Sequence, residues 1–186
     1  MSEPIRVLVP LSPGVEEMEA VILIDVMRRA GFEVVAAGVD GTDPIRASNG
    51  VVLVPDADLA DVIVQPFDLL AIPGGIQNTE RLRTEQPLLA LIRRRFEAGQ
   101  WLAAICAAPR VLDAAGIADK IELTSHPAVA DTLQHAKAYR EDVVVVDGKV
   151  VTSRGAGTAL PWALDLVERL AGKDKREAVE AGLALR

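Results

Sequence analysis

The 186 residues contain one cysteine, Cys106, and its surroundings, WLAAICAAP, have the pattern of a reactive thiol's turn. The apolar run at 101–105 predicts a strand ending at the cysteine; Ala107 and Ala108 follow, and Pro109 sets helical φ in the next turn. Small neighbours permit a sharp strand-to-helix elbow that lifts a nucleophile above a sheet. A sulfur at the start of a helix meets unpaired N–H groups and the macrodipole, both favouring thiolate, so a pKa below the free-thiol value of ~8.5 is expected. The competing reading is a small buried hydrophobe, the usual fate of a lone cysteine. Glu19 is the second candidate. One helical turn from Val15 and one from Ile22 and Leu23, it projects among apolar neighbours. There a carboxyl pKa rises, and the protonated group can donate to a thiolate. A solvated helix glutamate is the alternative, and Glu16 and Glu17 are accounted for as first-turn charges. Pro73-Gly74-Gly75 follows another apolar run, where glycines let backbone N–H groups approach an anion, as in an oxyanion hole, or simply make a turn. His126, one of two histidines, precedes Pro127 and reads as a catalyst or a loop residue.

These groups need a scaffold that brings them to one place. Strand-like runs at 5–10, 32–39, 67–72 and 101–105 alternate with helical stretches at 16–30, 86–98 and from 107 onward. Near-continuous apolar strands suit a sheet buried on both faces, and the alternation predicts a doubly wound α/β sandwich, mostly parallel. Residues 143–153 differ: VVVVDGKVVTS is a hairpin turning at Asp147-Gly148. A helix at 158–171 stops at Gly172, and 176–183 forms a short terminal one. No repeat or linker divides the chain, which is read as one domain over 1–186. The loops after 5–10, 67–72 and 101–105 leave the carboxyl ends of parallel strands, the edge where such sheets bind ligands. The first helix is apolar nearly all round, so its second face needs cover: the segment 43–60, or a second copy of the chain.

Composition removes several function classes. The net charge is −7 and the longest basic run is Arg93-Arg94-Arg95, which argues against nucleic acid binding by bulk charge. No apolar stretch approaches the ~18 residues of a membrane helix, and MSEPIRVLVP does not read as a signal peptide. A lone cysteine makes no internal disulfide, which fits a reducing, cytoplasmic setting. There is no Walker A sequence and no GxSxG; GAG at 155–157 lacks the third glycine of a dinucleotide fingerprint. Two separated histidines and one cysteine give no metal-site spacing.

Six ordered blocks, GVEEMEAV (14–21), DVMRRAGFEV (25–34), PGG (73–75), AAICAAP (103–109), SHP (125–127) and TSRGAGT (152–158), resemble the DJ-1/PfpI superfamily, in particular its DJ-1 branch with YajL/ThiJ-type relatives. The resemblance spans essentially the whole chain. It implies a flavodoxin-like sandwich, a homodimer through the first helix, a reactive Cys106, a paired carboxyl at Glu19 and a nearby His126. It also implies cofactor-free conversion of methylglyoxal or glyoxal to a hydroxy acid without glutathione, removal of early glycation adducts, or redox sensing and chaperone-like protection through Cys106. In that chemistry Gly74, Gly75 and Ala107 would supply oxyanion contacts and Arg154 an anion-contacting charge. Two departures bear on substrate choice: Asn49 stands where the branch can carry an arginine, and Ile76-Gln77-Asn78 follows PGG where smaller residues are expected at the pocket rim.

Overall fold

Strands that are apolar at every position require cover on both faces, and that requirement shapes the chain. In the computed structural model, which describes residues 3–185, β1 (Arg6–Leu11) lies inside a seven-stranded sheet with β2 (Glu33–Gly38) parallel on one side. A small antiparallel pair, β3 (Ile45–Arg46) and β4 (Val52–Leu53), intervenes before β5 (Ala57–Asp58) extends the β2 edge. The chain then crosses to the other side of β1, where β6 (Leu69–Ile72) and β7 (Trp101–Ile105) add in parallel. A second small pair, β8 (Glu122–Leu123) and β9 (Ala138–Tyr139), precedes the hairpin of β10 (Val144–Asp147) and β11 (Val150–Ser153). β11 pairs parallel to β7, giving the order β10-β11-β7-β6-β1-β2-β5. The winding direction reverses between β1 and β6, so the loops leaving their carboxyl ends diverge and open a crevice.

Helices cover both faces. α1 (Glu17–Arg29) and, after α2 (Leu59–Val62), α3 (Ile76–Leu82), α4 (Gln86–Glu97) and α5 (Pro109–Ala114), the long α6 (Ala159–Ala171) complete the main layers; α7 (Lys173–Gly182) packs on α6. Strand alternation sorts side chains cleanly. Val7, Val9, Ala71 and Ile105 join the core under α1 and α6, where Trp162 is fully buried. Leu8, Leu70, Ile72 and Leu102 join the core under α4 and α5. This is the doubly wound, flavodoxin-like sandwich expected.

Local differences have physical causes. The helix expected from Ala107 begins at Pro109, because Ala107 and Ala108 are consumed by the turn. The segment 43–60 is not the main cover of the first helix: it forms the β3–β4 pair and β5, and meets the helix at both ends, where Ser48 N donates to Val15 O, Asn49 N to Glu17, and Arg28 to Asp56. Much of the second face lies against α6. What remains outward is Met18 at 53% and Val21 at 45% exposure, with Ile22 half-buried beside them. No helix among the described residues is long and apolar enough to cross a membrane.

Candidate active site

Cys106 follows the last residue of β7 and adopts φ +65°, a left-handed conformation costly for a residue with a side chain, of order 1–3 kcal/mol. The surroundings hold it there: Cys106 N donates to Ser153 O at 3.0 Å, and Cys106 O accepts from His126 N at 2.8 Å. Ala107 and Ala108 are fully buried, so nothing larger fits behind the elbow. The thiol itself is half-buried, and the backbone N–H groups of Gly75 and Ala107 act on the sulfur. α5 is only six residues long, so its dipole contributes less than a full helix would; these two N–H groups supply the local positive field.

Glu19 is fully buried, at 0% exposure. Its helix is started by Glu16, whose Oε2 accepts from Glu19 N at 2.7 Å, the N-cap position. Glu19 Oε2 accepts from Gly74 N at 2.7 Å, Oε1 is buried without a hydrogen-bond partner, and the carboxyl interacts with the neighbouring thiol. Burial raises the Glu19 pKa to about 7, against the opposing pull of Gly74 N–H and the thiol, with the Glu16 charge adding to the rise. Burial also pushes the Cys106 thiol up to about 12 while Glu19 is charged beside it, the reverse of the low value expected from a helix start and a protonated, donating carboxyl. Burial is the first cause of both rises, and the charge of Glu19 adds to the thiol's, so the pair keeps one proton. Counting donors locates it. A thiolate would accept from the N–H groups of Gly75 and Ala107 and from a protonated Glu19, whereas an ionised Glu19 would accept only from Gly74 N–H and the thiol. By donor count the arrangement favours the proton on Glu19 and the charge on sulfur, against the direction in which burial alone pushes the thiol.

The two glycines have separate duties. A Cβ on Gly74 would lie 2.6 Å from Cys106 Cβ and 2.7 Å from Glu19 Oε2, so only glycine lets the thiol and carboxyl meet. Gly75, at φ +88°, packs so tightly against the Gly14–Glu16 backbone that a Cβ would sit 2.2 Å from Gly14 O.

The remaining expected residues are less closely engaged. The His126 ring is exposed, and its Nδ1 accepts from Ala128 N at 3.1 Å; no hydrogen bond to Cys106 or Glu19 is present among the described residues. It nonetheless borders the pocket, since a Cβ on Gly155 would lie 3.3 Å from His126 Cδ2 and 4.0 Å from Cys106 Sγ. Arg154 turns outward and donates to Glu141 O at 3.2 Å, so it is not gathered to the thiol. Asn49 is held by Glu17, a buried carboxylate that accepts from Asn49 N at 2.8 Å; Glu17 is thus a loop anchor rather than only a first-turn charge. Sequence reasoning missed Gly155, a glycine just beyond β11 on the same edge, and Asn78, which is buried under the PGG loop rather than on the rim. Among the described residues, no group of three His, Cys, Asp or Glu could hold a metal ion.

The DJ-1/PfpI family model matches residues 5–169. Protein dj-1beta of Drosophila melanogaster is 42% identical over 177 residues, covering 95% of both chains, and its crystal structure superposes at a TM-score of 0.94 over 98% of each. The structure described as Toxoplasma gondii DJ-1, oxidized, is 38% identical with a TM-score of 0.92, covering 97% of this chain and 98% of its own. The glutathione-independent glyoxalase DJR-1.2 of Caenorhabditis elegans is 37% identical over 172 residues, 91% of this chain and 90% of that one. A family match across most of the length, with a relative 42% identical over 95% of both chains, leads to one conclusion: the chain belongs to the DJ-1/PfpI family.

Proposed function

We propose that this protein converts small reactive dicarbonyls, methylglyoxal and glyoxal, to lactate and glycolate with neither cofactor nor glutathione. The observation that carries this reading is a fully buried carboxyl beside a thiol that two backbone N–H groups favour as anion. Sulfur attacks the aldehyde carbon, a C–S bond forms, and the carbonyl oxygen takes the proton from Glu19, held meanwhile by Gly75 and Ala107 N–H. The resulting hemithioacetal loses its carbon-bound proton to the now ionised Glu19, giving an enediolate whose hydroxyl proton passes to the neighbouring oxygen. Return of the proton held by Glu19 to the neighbouring carbon yields a thioester, which water cleaves to the hydroxy acid and the free thiolate. The net change is addition of one water. His126, at the pocket border, assists the oxygen-side proton transfers. The name of the Caenorhabditis elegans relative supports the reaction class, and the same attack extends to early glycation adducts on proteins. A reducing, cytoplasmic setting suits the thiol. The exposed Met18 and Val21 favour a homodimer through α1.

The test is turnover: purified protein, free of glutathione, should form many equivalents of lactate per Cys106, and Cys106→Ser none. Loss of methylglyoxal limited to one equivalent overturns the enzyme reading. That outcome favours a second reading, suggested by the oxidised Toxoplasma gondii relative. In it two peroxide molecules each pass one oxygen to the sulfur, forming sulfinate and two waters, and the protonated Glu19 donates to the product.

A further inference from the structure

Asn78 lies in the first turn of α3, and its side chain is fully buried at 0% exposure. All four hydrogen-bonding positions of its amide are used. Oδ1 accepts from Ser12 N at 2.8 Å and Ser12 Oγ at 3.0 Å, at the end of β1. Nδ2 donates to Pro73 O at 2.9 Å and Gly74 O at 3.1 Å. The two carbonyls belong to consecutive peptide units, and a trans peptide unit is planar with its C=O and N–H pointing oppositely. Fixing Pro73 O therefore aims Gly74 N–H, which donates to Glu19 Oε2 at 2.7 Å. Fixing Gly74 O aims Gly75 N–H, which acts on the Cys106 sulfur. The unit between the two glycines has no Cβ on either side to resist rotation. Its carbonyl has one other partner, Glu16 N at 3.2 Å.

We infer that Asn78 is a positioning residue that locks two successive peptide planes, so that one N–H serves Glu19 and the next serves Cys106. Its far end ties that lock to β1, so the loops on either side of the crevice hold one register. The inference deepens the proposed active site, but it concerns the thiol and carboxyl and is independent of the substrate they act on.

The test reads the thiol directly. Asn78→Ala frees both planes, and Asn78→Ser is too short to reach both carbonyls. Either variant should lose much of the Gly75 contact, raising the Cys106 thiolate midpoint by about one unit, since a hydrogen bond to a charged group is worth that much. Iodoacetamide alkylation below the midpoint should slow about tenfold in parallel. Ser12→Ala, which removes only one bond at the far end, should leave both readings near the unmutated values. Unfolding midpoints monitored alongside separate this from simple loss of stability, which would not move the titration of the folded protein. Should Asn78→Ala fail to fold, Asn78→Ser gives the same readings, and in the unmutated protein hydrogen exchange should find both the Gly74 and Gly75 amides strongly protected. Folded Asn78 variants with unchanged titration and alkylation, or free exchange at both glycine amides, would overturn the inference. Because no assay here uses dicarbonyl, failure of the enzyme reading leaves the result intact.

Discussion

Gly74→Ala probes the contact between thiol and carboxyl with one added methyl group. Gly74 is not at positive φ, so alanine brings no backbone penalty there; its whole effect is steric. The new Cβ would meet Cys106 Cβ at 2.6 Å, Glu19 Oε2 at 2.7 Å and Ile105 O at 2.9 Å, where ordinary contact begins near 3.4 Å. The cysteine is pinned by Ser153 O and His126 N, and Ile105 belongs to β7, so Glu19 must yield. Moving it breaks the 2.7 Å bond from Gly74 N in a buried place. Overpacking costs about 1–3 kcal/mol, and an orphaned buried partner adds about 1–3 kcal/mol. Urea unfolding should therefore show a loss of about 2–6 kcal/mol, with dicarbonyl turnover down by the ~10²–10⁴-fold of a lost proton shuttle. Gly157→Ala, where a Cβ meets nothing within 4 Å, is the matched control. Gly74→Ala with unaltered stability and turnover would refute the close packing of Glu19 against this loop.

Three further outcomes follow from the same geometry. Burial raises the Glu19 pKa from 4.5 to about 7, and whichever member of the pair gives up that first proton, the folded state holds a proton that the unfolded carboxyl has lost, so stability falls as pH rises through that window. At 1.36 kcal/mol per unit this is about 3 kcal/mol, and Glu19→Gln should flatten the profile in urea titrations between pH 4.5 and 8; an unflattened profile would place the titration elsewhere. Sedimentation should give a species of about twice the 19.8 kDa chain mass, and Met18→Asp with Val21→Asp should halve it, whereas an unmutated monomer would return the exposed face to solvent. His126→Ala should reduce turnover by less than Glu19→Ala does, because its ring touches neither reacting group by hydrogen bond; an equal loss would give it a larger part.

Much of this arrangement is legible in the sequence because it depends on local patterns. Apolar continuity marked the buried strands, the Asp147-Gly148 turn marked the hairpin, and Cys106 between a strand and two alanines marked the elbow. Glu19 stood out because a helix glutamate among Val15, Ile22 and Leu23 has no solvent to face. What escaped is relational. The direction of Arg154 depends on where the loop carrying Glu141 passes, and the burial of Asn78 depends on how close β1 ends to the PGG loop. The cover of α1 was likewise read as segment 43–60 or a second copy, while α6, more than a hundred residues away, supplies much of it.

The central claim is that the shared proton sits on Glu19 and the charge on Cys106. Thiolate absorbance in the ultraviolet, followed against pH with Cys106→Ser as blank, tests it through the direction of one shift. If Glu19 is the protonated donor, unmutated Cys106 titrates below the free-thiol value of ~8.5, Glu19→Ala raises the midpoint, and Glu19→Gln, still a donor, moves it less. If Glu19 is instead the anion, the unmutated thiol titrates far above that value and both substitutions lower it, which would contradict the account.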